Sequence, residues 1–318
     1  MSPAAATSGD EERSMTAKTL APTARGTSLL LGLIPPAMIA GALLFWGLAP
    51  SRITGAPWTI LVATALTTLA ILGLEFVAER HASWRMTPRE FATDFYYNVL
   101  NYTLIGWCTQ FLAEQPLTAV KAALGLSTPW VLQLPFVAQV ALVVVLIEFG
   151  QYWMHRAMHN WGPLWLTHAP HHHITQLNAT KGAVGNPIEL FLISLSVVAL
   201  FDVPIAAVFC GLNILAIVSS FAHANTRCDP PRWYGFFFTT IRNHSLHHST
   251  GYEETRCNYA NSLILLDRMF GTFRDGEAEA VGQGDRRRLS IAEQTLFPVQ
   301  PLIARIKAPR EDTAETAR

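Results

Sequence analysis

The sequence predicts an all-α protein: a polytopic membrane helical bundle of four spans plus a helical hairpin, carrying a cytoplasmic histidine-rich metal-binding cap. Three observations lead there. Of the 318 residues, 50% are hydrophobic and only 14% charged, against about a quarter charged in a soluble domain. Apolar stretches recur at 27–49, 57–78, 95–113 and 131–153, each close to the roughly 20 residues that a helix needs to cross a bilayer's hydrocarbon. Ten of the eleven histidines fall between His155 and His248.

Taken in order, residues 1–25 are small and polar, with Asp10, Glu11, Glu12 and Arg13. They lack the apolar centre of a signal peptide and read as a disordered tail. The membrane region runs over 26–140. Pro35-Pro36 is expected to kink its first span, which neighbouring groups make tolerable in a membrane. The segment 79–94, with Trp84, Arg85 and Arg89, reads as an interfacial elbow. A fifth apolar stretch, 188–222, is too long for one span and is interrupted by Asp202 and Pro204, so it reads as the hairpin. The chemistry-bearing region is 141–275. Beyond it, 276–318 reads as a polar tail whose Arg286-Arg287-Arg288 run lies on a solvated surface near lipid headgroups.

Basic residues orient this layout. With a cytoplasmic N-terminus, the outer loops 50–56 and 114–130 carry only Arg52 and Lys121, and the other 21 of the 23 lysines and arginines lie inside. The histidines and both termini are then cytoplasmic, in a bacterium on the plasma (inner) membrane. The zero net charge argues against a nucleic-acid partner, which would need a basic surface. Cys108, Cys210, Cys228 and Cys257 form no C-x-x-C pair and are too few for a disulfide scaffold.

The histidines form spaced groups. His155 and His159 share one helical face, where the fourth span leaves the membrane. His168, His171 and His172 form an H-x-x-H-H followed by His173, and His244, His247 and His248 form a second. His223 closes the hairpin in FAHAN. So many imidazoles on one membrane face would repel each other if protonated and be costly to desolvate. A shared metal centre removes both problems, since neutral imidazole is the ligand form. Eight or nine exceed what one four- to six-coordinate ion can take, so two ions are expected. Ligand chemistry alone allows zinc, copper, iron or nickel. His173, Glu148, Asn178 and Asn225 are expected close by, as further ligands or as groups orienting them.

H-x3-H, eight residues, H-x-x-H-H and a later second H-x-x-H-H resemble the fatty acid hydroxylase/sterol desaturase superfamily of membrane di-iron oxygenases. The setting is similar too: Glu148 and Tyr152 before the first pair, LTHAPHHH with Leu177-Asn178, FAHAN, and NYANSLILLDRMFGTF at 258–273. The resemblance covers about 141–275. It implies two iron ions, dioxygen as co-substrate and an apolar substrate from the bilayer. It also implies His155, His159, His168, His171, His172, His223, His244, His247 and His248 as ligands. Where many relatives read H-P-L-E, this chain has Asn186-Pro187-Ile188-Glu189.

The function expected from the resemblance is hydroxylation, or desaturation, of a lipid C–H bond using dioxygen and externally supplied electrons. This sequence has no H-P-G-G haem segment, G-x-G-x-x-G fingerprint or iron–sulfur cysteine set. The electron donor is therefore expected to be separate: a reductase, a ferredoxin or a cytochrome b5-like protein. Two other classes compete. A zinc-dependent membrane hydrolase would need an open metal position with a nearby glutamate base, and no H-E-x-x-H occurs. A metal transporter or store would place ionisable groups along its spans, whereas these histidines gather at one face.

Overall fold

The computed structural model describes residues 29–307, so the expected tail at 1–25 and the stretch beyond 307 lie outside the described residues. Among the described residues, four helices are long and apolar enough to cross a membrane: α1 (Leu29–Leu48), α2 (Pro57–Val77), α4 (Phe136–Asn160) and α7 (Ile205–His223). The helix α3 (Pro88–Leu100) lies between the second and third of these. The outer faces of α1 and α2 carry exposed Leu33, Leu44, Phe45, Leu66, Leu69 and Phe76, as lipid-facing helices should. Helix α7 is the most buried and packs against α1, α2 and α4. A Cβ on Gly211 would lie 2.6 Å from Val143 Cγ1 of α4, so the missing side chain permits that approach. Trp46 Nε1 donates to Asn213 Oδ1 at 3.2 Å, tying α1 to α7.

Two apolar stretches differ from expectation. The 95–113 stretch is not one regular helix. Thr87 caps α3 by accepting from Glu90 N, and the chain continues through wide turns at Asn101–Ile105 and Gln110–Glu114 before Gln115–Ala123. Pro116 has no N–H for the carbonyl four residues back, and a wide turn is one way to absorb that. The run still joins opposite ends of the bundle: Asn98 bonds Thr180 O at one end, and Lys121 pairs with Asp202 at the other. The 188–222 hairpin is asymmetric. Its first arm is the short helix α6 (Pro187–Ser194) and a single turn at Val198–Leu200, and its second arm is α7. An eight-residue helix rises only about 12 Å, so the first arm does not span.

All histidine-bearing helix ends meet at one end of the bundle. There α5 (Gly162–His172), α8 (Ile241–His247) and the loops around them form a cap. The expected elbow is part of this cap: Trp84 is fully buried and donates to Glu279 O. Nor are residues 276–307 a free tail. Glu277 pairs with Arg80, Gly282 N donates to His248 O, and Asn186 Nδ2 donates to Gln294 O. The three arginines make specific contacts: Arg288 with Glu90, Arg287 with Glu293, and Arg286 with the Val281 carbonyl. Val281 is buried in one cluster with Trp84, Ile291 packs against it and Leu289 is buried too, so apolar side chains hold an otherwise polar segment down.

Candidate metal centre

Nine histidines converge in two buried groups. The first holds His155, His159, His168, His172 and His247, and the second His171, His223, His244 and His248. In each group the donor atoms lie within 4.8 Å of one another. Helical spacing explains the sorting. Residues four apart share a face, so 155/159, 168/172 and 244/248 each go to one group. The member three residues along each H-x-x-H-H, His171 or His247, turns to the other group. The groups adjoin, with the His172 and His248 rings stacked 4.6 Å apart.

The outer nitrogens fix which tautomer faces inward. His155 Nδ1 lies 2.5 Å from Tyr259 O, and His247 Nδ1 lies 2.7 Å from Cys257 O. His171 Nδ1 and His223 Nδ1 lie 2.6 and 2.8 Å from the Val184 and Ser219 carbonyls. A carbonyl only accepts, so each of these Nδ1 atoms carries a hydrogen and each Nε2 of a neutral ring is bare. His155 Nε2 and His247 Nε2 are nevertheless 3.1 Å apart, lone pair to lone pair. His168 Nε2 lies 2.9–3.1 Å from the Nε2 atoms of His155, His159 and His172. Protonation does not relieve this crowding: burial holds His247 well below its usual range and pushes His168 down to about 3. A cation does relieve it. Nitrogens bound at about 2.1 Å, at right angles on one ion, sit about 3.0 Å apart. The donor set therefore fits a metal ion in the first group, and the 2.9 and 3.2 Å contacts of His244 with His223 and His248 fit one in the second.

Carboxylates support this arrangement from outside. Glu189 Oε1 accepts from His168 Nδ1 at 2.6 Å, and its other oxygen takes the Asn186 backbone N–H in a capping box. Burial pushes Glu189 up to about 8, so a nearby positive charge is what would keep it ionised at neutral pH. Glu148 Oε2 accepts from the Ser262 and Leu263 amides, and Asp267 from those of Tyr259 and Ala260. Together they fix the loop that presents the Cys257 and Tyr259 carbonyls to the histidines. Glu148 thus works through that loop and makes no hydrogen bond to a histidine among the described residues.

The remaining expected residues stand apart. His173 lies in neither group and packs on Phe297. Asn178 accepts from Thr180 N and donates to Asp94. Asn225 bonds both backbone groups of His81. Sequence reading overlooked Glu189 as a histidine partner. Its signal was the N-P-I-E capping pattern, which fixes a glutamate three residues after an asparagine cap.

A cavity of about 240 Å³ reaches both groups, touching His155 and His168 of the first and His171 and His223 of the second. Its walls also include Asn98, Asn101, Tyr102, Gln151, Ser219 and Asn261.

Comparison with known proteins matches residues 140–272 to the family described as fatty acid hydroxylase. The match spans every one of the nine converging histidines. That bears out the resemblance drawn from the histidine motifs. An ornithine lipid hydroxylase, OlsE, of Rhizobium tropici is 28% identical over 221 residues, 66% of this chain and 66% of that protein. A Delta(7)-sterol-C5(6)-desaturase of Nicotiana tabacum is 33% identical over 45% of this chain and 52% of its own length. An alkylglycerol monooxygenase of Xenopus tropicalis is 28% identical over 46% of this chain and 31% of its own. The matches thus cover from about a third to about two thirds of these relatives. No solved structure matches the chain.

One substitution tests the outer support of these histidines. A Cβ on Gly185 would sit 2.2 Å from Glu189 Oε2, so Gly185→Ala should push the carboxylate off His168. Loss of such a partner typically costs about 10- to 100-fold in metal affinity. Titration with a competing chelator reads this directly, and an unchanged affinity would count against the Glu189 role.

Proposed function

We propose that the protein is an integral-membrane di-iron oxygenase that hydroxylates a C–H bond of a lipid, with 141–275 as its catalytic domain. One iron sits in each histidine group, and the histidines face the cytoplasm. The observation that carries this reading is the convergence of inward, bare Nε2 atoms in two adjoining groups that share one cavity. When bound, iron supplies the activation of dioxygen and the redox chemistry on the C–H bond. One oxygen atom replaces the hydrogen as an alcohol; the other leaves as water, with two electrons and two protons from a separate donor. A desaturase would instead release both oxygens as water while two hydrogens leave the lipid.

The chain's own residues bind, orient and exclude water. Buried carbonyls and Glu189 hold His155, His168, His171, His223 and His247 in one tautomer, so the geometry of these ligands costs little at the moment of reaction. The segment after 275 covers the cap over His248 and Ser249, which keeps bulk water from the metals. Tyr102 stands half-exposed at the cavity rim, flanked on the bundle's outer face by exposed Val99 and Leu104. That supports entry of the lipid sideways from the hydrocarbon. An acyl chain, an amino-acid-headgroup lipid or a carotenoid would meet this description, and the named activities of the relatives support a lipid substrate.

The test is comparative lipid mass spectrometry of cells expressing the wild type or His247→Ala with a reductase supplied. A lipid gaining one oxygen atom only with the wild type is the expected outcome. Loss of two hydrogens would make the protein a desaturase. Purified active protein holding zinc and no iron would overturn the reading.

A further inference from the structure

The cavity beside the histidines sets unpartnered polar groups beside apolar ones such as Leu190, Ile193 and Leu215, where a site for a plain hydrocarbon would be apolar throughout. Asn101 and Ser219 line it, and their side chains make no hydrogen bond among the described residues. Asn261 gives its amide only a long 3.5 Å contact with Gln151, which leaves its Oδ1 free. An alkyl segment placed against these groups would displace water from them without giving them partners, which is unfavourable. Charge narrows the occupant further. Apart from histidines, the one ionisable acid or base with a charge to offer among the described wall residues is Glu189, already engaged by His168. Lys181 is buried nearby, but its ammonium is taken by Glu90 and Asp94. Beyond the metal ions that its histidines would hold, no group in the wall would neutralise a phosphate or a free carboxylate, and no free carboxylate would receive an ammonium. What the wall can satisfy is a neutral donor–acceptor group.

We infer that the cavity binds an uncharged hydrogen-bonding group of an amphipathic lipid, an amide or alcohol, through Asn101, Ser219 and Asn261. The carbon oxidised then lies within a few bonds of that group and not in the interior of an acyl chain. This rests on the oxygenase reading for the word "oxidised"; the binding part stands without it. Helical spacing brings the wall together: Asn98, Asn101 and Tyr102 lie three and four residues apart at the junction of α3 and the wide turn that follows.

The experiment uses the full-length protein, iron-loaded in detergent, and two probes: N-octanoyl-alanine methyl ester and the alkane of equal length. Wild type should bind the ester about tenfold tighter or more, the scale expected when buried polar groups gain or lose a partner. Asn101→Leu should erase most of that preference. Ser219→Ala, a smaller change, should reduce it if the first variant folds poorly; iron content reports folding of both. With a reductase and dioxygen, oxygen should enter the ester on a carbon within a few bonds of its amide. Equal binding of the two probes, a preference that survives both substitutions, or oxygen placed in the chain interior would overturn the inference while leaving an oxygenase. Asn101-dependent binding of the ester with no oxygenated product would support the inference and count against the oxygenase reading.

Discussion

Wild-type protein should hold two metal ions and His244→Ala protein one, and His247→Ala should lose the other. His244 belongs to the four-membered group and His247 to the five-membered one, so each variant removes an inward donor from a different ion. Product formation should fall beyond the roughly 10- to 100-fold that follows loss of an outer partner, because a donor itself is gone. His173→Ala provides the contrast. It stands outside both groups, beside Phe297, and should retain both ions and full activity. Metal analysis of the three purified variants decides the matter. Full metal in His244→Ala, or loss of an ion in His173→Ala, would refute the assignment.

Lys181→Met should destabilise the cap more than any other single change outside the histidines. The Lys181 side chain is 1% exposed, and its ammonium contacts Glu90 and Asp94, the latter also 1% exposed. Arg288 joins the same network through Glu90. Methionine would fill much of the space but leave a buried carboxylate without its partner, which costs about 3–5 kcal/mol. The damage reaches the site, since the turn Lys181–Ala183 leads into Val184, whose carbonyl receives His171 Nδ1. Thermal unfolding in detergent should show a markedly lower midpoint and loss of metal from the second group. Adding Asp94→Asn to Lys181→Met should recover part of the loss by removing a stranded charge. An unfolding midpoint equal to wild type would show that the ion cluster contributes little.

The spans at 27–49, 57–78 and 131–153 were legible because hydrocarbon imposes a length and an apolar composition on any helix that crosses it. The 95–113 stretch has the same composition, yet Pro116 and the wide turns that break its regularity act on hydrogen bonding, which composition does not record. Asp202 and Pro204 marked a turn in 188–222, but only packing shows that one arm stops short. The segment after 275 misled for a different reason: its few apolar residues are spread among charges, and their burial depends on partners such as Trp84 far away in the chain.

By itself the sequence determined an all-helical membrane protein with nine imidazoles concentrated at one end, because span length and histidine spacing are local properties written in consecutive residues. The tertiary structure alone decided which histidine joins which group and which carbonyls set their tautomers. It also decided that Glu189, rather than Glu148, Asn178 or Asn225, touches a candidate ligand. Those relations join residues up to about a hundred positions apart, such as His155 with Tyr259, and depend on how helices pack together, which no local spacing encodes.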